Sequence, residues 1–173
     1  ARTFLMQTAI LDRLNGPLCD ALTGRNDGDS LLRHLEAANL FVIPLDADRR
    51  WYRYHQLFAD LLRNQLTRSQ PDLIPQLHRR ASLWFEAQGD IPAAVEHALE
   101  DADLSLVTRL IEEHAMPKLY KGEVSIVVGW FDRLPEAALE TAPMLCINKA
   151  WALVLERRNP RWEEVRLALQ DAQ

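Results

Sequence analysis

The stretch LHRRASLWFEAQGDIPAAVEHAL, residues 77–99, decides the fold. Ala81, Trp84, Phe85 and Gln88 recur at helical spacing, Gly89-Asp90 interrupts the pattern, and Pro92 opens a second run in which Ala94, Val95, Ala98 and Leu99 recur at three and four. Proline is tolerated in a helix's first turn, where its missing N–H has no partner, and glycine supplies the conformation that ends the helix before it. The pattern predicts an antiparallel helical hairpin. Small Ala81, Ala93, Ala94 and Ala98 let the two helices approach while Trp84 and Phe85 fill the seam. Such a hairpin buries only one face of itself and so requires neighbours.

Sliding the chain on itself finds one. At an offset of 70 (165 − 95), Leu83, Glu86, Val95, Ala98, Leu99, Asp101 and Ala102 fall on Leu153, Glu156, Val165, Ala168, Leu169, Asp171 and Ala172. That offset is about two of the ~34-residue periods of tetratricopeptide-like repeats. With a degenerate middle repeat over 104–133, residues 76–173 are expected to hold about three helical hairpins, the start of a superhelix.

Upstream the punctuation changes. Phe4, Leu5, Thr8, Leu11 and Leu14 predict a first amphipathic helix ended by Asn15-Gly16, and Pro17 starts a short second one. Asp27 or Asp29 is expected to cap a third, with Leu31, Leu32, Leu35 and Ala38 on one face. Leu40 to Leu45 and Trp51 to Tyr54 then read as two strands around the turn Asp46 to Arg49. Leu57, Phe58, Leu61, Leu62 and Leu66 make a fourth helix that breaks at Ser69-Gln70-Pro71. Three helices, a hairpin and a helix are the order of a winged helix. The expected class is therefore mainly α: a winged-helix domain over 1–68, a linker over 69–75, and helical repeats over 76–173.

The totals narrow the function. A chain of 173 residues that is 48% hydrophobic can bury a core. No apolar run reaches the ~18–20 residues needed to span a bilayer and no signal-peptide order opens the chain, so a cytoplasmic protein without a membrane partner is expected. Residues 1–68 carry nine Lys/Arg and eight Asp/Glu, for +1, and residues 69–173 carry eleven and seventeen, for −6. Cys19 and Cys146 lack CxxC or Cys/His spacing and read as small core residues; no metal ligand set is expected. The pattern opens at Ala1 and closes at Gln173 within helices, as in a segment of a longer protein.

The third helix is the element that would enter a major groove, yet it sets Arg33 and His34 against Asp27, Asp29 and Glu36. Arg49, Arg50 and Arg53 on the wing can meet phosphate or stay solvated. No direct DNA binding is expected of this segment. The competing readings are a DNA-binding winged helix with a helical dimerisation arm, and a plain peptide-binding repeat scaffold.

The runs RTFLMQTAILDRLNGPLCDALTG, LLRHLEAANLFVIPLDADRRWYRYHQLFADLLR and LHRRASLWFEAQGDIPAAVEHAL closely resemble the middle of the MalT-like transcriptional activators, ATP-dependent LuxR-type regulators of the signal-transducing NTPase (STAND) class. WYRYHQLFADLLR is the most specific of the matching strings. The resemblance implies a neighbouring P-loop NTPase domain in the same polypeptide, a superhelix that receives an inducer or protein effector, and a distant promoter-binding end. It also implies a central regulatory segment that couples a nucleotide switch to that sensor. The sequence has no GxxxxGK[ST] loop, so neither enzymatic activity nor a cofactor is expected within it; ATP and ADP are expected in the full-length protein.

One residue carries chemistry by the same resemblance. In the wider class a histidine of a Met-His-Asp-like motif, opening the last winged-helix helix, contacts the β-phosphate of ADP. Tyr54-His55-Gln56 matches with His55 in the histidine's place, while Tyr and Gln replace Met and Asp. An imidazole between a strand and a helix can donate to a phosphate oxygen where backbone N–H groups are also free. His55 as a capping or interdomain histidine is the alternative. No catalytic residue stands out. His78, His97 and His114 are scattered, Glu112-Glu113 and Glu163-Glu164 read as solvated pairs, and Trp84, Trp130 and Trp151 read as seam fillers. An apolar edge near Trp162, Val165 and Leu169 is expected to promote self-association.

Overall fold

The computed structural model describes residues 2–101, 103–156 and 162–170. The chain divides into two compact units, 1–84 and 85–173.

In the first unit α1 (Arg2–Thr8), α2 (Gly16–Thr23) and α3 (Gly28–Ala37) precede β1 (Val42–Pro44), β2 (Tyr52–Tyr54), α4 (Gln56–Ser69) and α5 (Leu73–Ala87). This is the expected winged helix with a small hairpin. The strands pair antiparallel with Val42 opposite Tyr54, Ile43 opposite Arg53 and Pro44 opposite Tyr52. The first helix is shorter than its spacing suggests. It stops at Thr8, and Leu14 exchanges both backbone hydrogen bonds with Tyr52, at 2.7 and 2.8 Å, so that the segment adds a third strand position to the wing. Leu11 and Leu14 keep the period of a helix because both point into the core, not because the backbone coils.

Asn15 begins α2 rather than ending α1: its side chain accepts the Leu18 N–H at 2.7 Å, with Pro17 in the first turn. Asp27 and Asp29 do not cap α3 through their side chains. Asp27 forms two short hydrogen bonds with Arg25, while Asp29 accepts the Gly16 N–H at 3.2 Å and Asp20 accepts that of Gly28 at 2.9 Å. The starts of α2 and α3 are thereby tied together, and a Cβ on Gly28 would lie 2.6 Å from the Gly16 carbonyl oxygen. Arginines satisfy carbonyls at helix C-terminal ends: Arg63 donates to Ala9, just after α1, at 2.7 Å and Arg80 to Leu22, in the last turn of α2, at 2.6 Å. Leu14, Leu18, Leu22, Leu32, Tyr52 and Leu66 form the core, whereas Leu31 is half-buried and Ala38 exposed.

Only Gln70 to Asp72 separate α4 from α5. Leu73, Ile74 and Pro75, placed in a linker by the sequence pattern, make the first turn of α5. The division between the compact units falls inside that helix.

The second unit holds α6 (Ile91–Ala98), α7 (Ser105–Tyr120), α8 (Val124–Arg133), α9 (Glu136–Thr141), α10 (Pro143–Leu155) and α11 (Trp162–Gln170). The α5–α6 turn follows its prediction. Gly89 takes a φ of +78°, Asp90 accepts the Ala93 N–H at 3.3 Å, and Phe85 stacks on His97 with centroids 5.4 Å apart. The degenerate repeat is the α7–α8 hairpin, turned at Gly122 and cored by Val107, Leu110, Ile111, Val127 and Phe131. At the end of the chain Val165 and Ala168 are buried and Leu169 is half exposed; the side chain of Trp162 lies outside the described residues. The wider apolar exposure is on α10, at Met144, Ile147, Trp151 and Val154.

Candidate functional site

Two buried contacts fix the position from which His55 starts α4. Tyr54, the last residue of β2, is buried; its hydroxyl lies 2.7 Å from that of Thr8 on α1, and its ring meets Phe58 edge-on at 5.8 Å. Burial pushes the Tyr54 phenol well above its usual pKa. The His55 N–H then donates to the Phe41 carbonyl at 2.7 Å, and the His55 carbonyl accepts the Phe58 and Ala59 N–H groups at 2.9 Å. The residue before Gln56 is thus held by its own backbone.

Its side chain is not held. His55 is the N-cap of α4 with φ −59° and ψ 136°, and its imidazole makes no capping bond. Among the described residues the exposed imidazole has no hydrogen-bond partner, and the exposed Arg53 guanidinium has none either. Both line a cleft of about 260 Å³ together with Ile43, Tyr54, Gln56 and Leu57, a lining without a carboxylate. Backbone N–H groups in the first turn of a helix have no intrahelical acceptor, and the helix dipole favours an anion there. An oxyanion such as a phosphate oxygen fits this donor set: one imidazole N–H, one guanidinium and the start of a 14-residue helix.

Phe41 adds a feature that the sequence does not announce. Its φ is +58°, Asn39 and Arg49 also have positive φ, and its exposed ring stacks on Phe58 at 5.0 Å. A left-handed aromatic residue costs of order 1–3 kcal/mol and persists only where its surroundings impose it. Here the Phe41 carbonyl must face the His55 N–H.

The third helix and wing form a second cavity, about 660 Å³, lined by Arg33, Glu36, Asn39, Asp48 and Arg49 among others. Arg49 pairs with Glu36 at 3.0 Å, so carboxylates offset the arginines on the surface that would face a groove. Elsewhere, Glu86, Glu113 and His114 bring ligand atoms within 4.8 Å of one another, a convergence across α5 and α7 that sequence spacing hides. Arg109 occupies it, bonding Glu86 through two contacts of 2.8 Å and Glu113 at 3.1 Å. Glu113 is therefore part of an ion-pair cluster rather than simply solvated. Cys19 and Cys146 are both buried thiols that take part in no disulfide among the described residues. Trp130 is buried, Trp84 meets Trp51 edge-on at 6.4 Å, and Trp151 is exposed. No helix among the described residues is long and apolar enough to cross a membrane.

Residues 1–74 match the family model described as the MalT winged helix domain. The HTH-type transcriptional regulator MalT of Vibrio parahaemolyticus is 31% identical over 99% of this chain, and that of Yersinia pestis 30% over all of it, each match covering 19% of the relative. The serine/threonine-protein kinase PknK of Mycobacterium tuberculosis is 32% identical over 91% of this chain and 14% of its own length. The chain thus spans less than a fifth of the relatives it matches. With the wing, the following helical hairpins and these matches in agreement, the chain belongs to the MalT-like family and carries that family's winged-helix domain in residues 1–74.

Proposed function

We propose that this chain is the central regulatory segment of a ligand- and ATP-dependent transcriptional activator, joining a nucleotide switch to a helical-repeat sensor. Its MalT relatives are transcriptional regulators by name, and the same segment recurs in a relative named as a kinase. A module shared by proteins with such different outputs suits control better than chemistry.

The observation that carries the reading is the unpartnered imidazole of His55 beside Arg53 at the start of α4. A bound ADP would supply a diphosphate, which His55 and Arg53 would hold by charge-assisted hydrogen bonds at the helix terminus. Both side chains are exposed within this chain, so the remaining contacts must come from the NTPase domain of the same polypeptide. A ligand shifts a two-state equilibrium only by its differential affinity for the two states. Contacts from His55 that exist only when the winged helix closes on the nucleotide supply that difference. ADP then favours the closed resting form, and ATP with an inducer or protein effector on the repeats favours the open one.

The test uses full-length wild type and His55→Ala, purified without added nucleotide, denatured, and assayed for released ADP and ATP. Wild type is expected to carry ADP and the variant to have lost most of it, with transcription rising in the absence of inducer. Equal ADP content with unchanged basal transcription would reduce the winged helix to a structural bridge.

A further inference from the structure

The packing of the first unit leaves one buried polar group over. Tyr52 is 1% exposed, and its hydroxyl has no hydrogen-bond partner among the described residues. A buried donor without a partner is a standing cost to the fold, and phenylalanine would fill the same space without it. The backbone gives the group no room to find a partner. The Tyr52 N–H and carbonyl are both committed to Leu14, at 2.8 and 2.7 Å, which fixes the ring in place. Burial, and after it the charge of Glu36, push the phenol above its ordinary pKa, so at neutral pH it keeps its hydrogen to donate.

The charged side chains that act on this hydroxyl are Glu36, Arg33 and Arg49, and all three are walls of the cavity of about 660 Å³ between α3 and the wing. The cavity holds further donors that the fold does not use. Arg33 makes no hydrogen bond or ion pair among the described residues, and neither does the Asn39 side-chain amide. Arg49 gives its Nε to Glu36. Asn39 and Arg49 hold their places with φ of +54° and +53°, conformations that non-glycine residues keep only where their surroundings impose them.

We propose that this cavity is an effector site for the carboxylate end of a small organic acid, with the Arg33 guanidinium and the Tyr52 hydroxyl as its donors. The site is separate from the cleft of His55 and does not depend on the reading of that histidine. The walls select the ligand by charge. Arg33 and Arg49 are balanced by Glu36 and Asp48, so a phosphate dianion or a nucleic-acid backbone meets as many carboxylates as arginines, whereas a single carboxylate meets the one unspent guanidinium. A planar carboxylate also matches the guanidinium fork and keeps lone pairs for a phenol O–H. Ala37 and Ala47 offer apolar surface to the rest of the acid, and the volume lies within the roughly 300–1,000 Å³ of small-molecule sites. A bound acid bridges α3 to β2 and gives the stranded hydroxyl its missing acceptor.

The experiment uses benzoate, a monocarboxylate with an apolar body, and follows its binding to the full-length protein by saturation-transfer NMR. Saturable binding at millimolar benzoate is expected, with acetate competing and inorganic phosphate or chloride at equal ionic strength competing far less. Tyr52→Phe and Arg33→Gln should each weaken it roughly tenfold or more, the worth of a charge-assisted hydrogen bond. Because the hydroxyl is unpartnered without ligand, Tyr52→Phe should leave the melting temperature of the ligand-free protein unchanged or raise it. A clear fall would show that the hydroxyl is bonded inside the fold and would overturn the site. So would the absence of saturable benzoate binding, equal affinity in the wild type and Arg33→Gln, a change at an exposed position that leaves folding intact, or phosphate competing as well as acetate.

Discussion

The buried hydroxyl pair of Thr8 and Tyr54 makes a prediction whose asymmetry follows from the geometry. Thr8 Oγ1 donates to the Phe4 carbonyl at 2.8 Å, so its one hydrogen is committed, and Tyr54 must be the donor in the 2.7 Å contact between the two hydroxyls. Tyr54→Phe removes that donor and leaves Thr8 with its backbone bond intact; the expected cost is about 1 kcal/mol, the net worth of an ordinary hydrogen bond. Thr8→Val removes the acceptor and strands a phenol O–H that is only 5% exposed, at about 1–3 kcal/mol. In the double variant no donor is stranded, so the two changes should couple by about 1 kcal/mol rather than add. For a chain of this size each kcal/mol moves the melting temperature by about 2–4 °C, within reach of circular dichroism melts. Equal costs that sum in the double variant would refute the assigned donor and the claim that this bond ties β2, and with it His55, to α1.

Three further outcomes are expected. Arg109 holds the Glu86 carboxyl below its usual range, chiefly by hydrogen bonding and against partial burial. A depressed folded-state pKa stabilises above the unfolded value of about 4.3 and loses that contribution as pH falls through the folded one; Glu86→Gln should therefore cost about 1 kcal/mol at neutral pH and much less in acid, as denaturation at several pH values will read. On α10 the exposed Met144, Ile147, Trp151 and Val154 follow a 3-4-3 spacing, so the mass of this chain in light scattering should rise with concentration and that of Trp151→Glu should not; a concentration-independent monomer in the parent sequence would contradict this. The carboxylates around Arg33 and Arg49 predict no measurable retention of duplex DNA at low salt, and tight binding with a steep salt slope would restore a DNA-binding winged helix.

The helical hairpin at 77–99 and the wing were legible because glycine, proline and a change of hydrophobic period state them locally. Where the reading failed, tertiary structure overrode a local pattern. Leu11 and Leu14 satisfy a helical period yet belong to a coil and a strand-like bridge, since burial rather than backbone sets their spacing. Leu57 and Leu61 look like further core positions because sequence does not separate two apolar faces of one helix. The left-handed conformations of Asn39, Phe41 and Arg49 leave no glycine as a signal. The Glu86, Arg109, Glu113 and His114 cluster spans 23 residues or more from its first member, beyond any local rule. His55 was legible only through resemblance to a family motif; its free imidazole and its cleft with Arg53 are features of the fold.

The most direct test of the account is the rate at which a fluorescent ADP analogue leaves the full-length protein, compared between wild type and His55→Ala. A charge-assisted hydrogen bond contributes about 1.5–3 kcal/mol, so release from the variant should be roughly 10- to 100-fold faster. Indistinguishable release rates would show that the histidine at the start of α4 holds no phosphate, and would contradict the reading of this segment as half of a nucleotide switch.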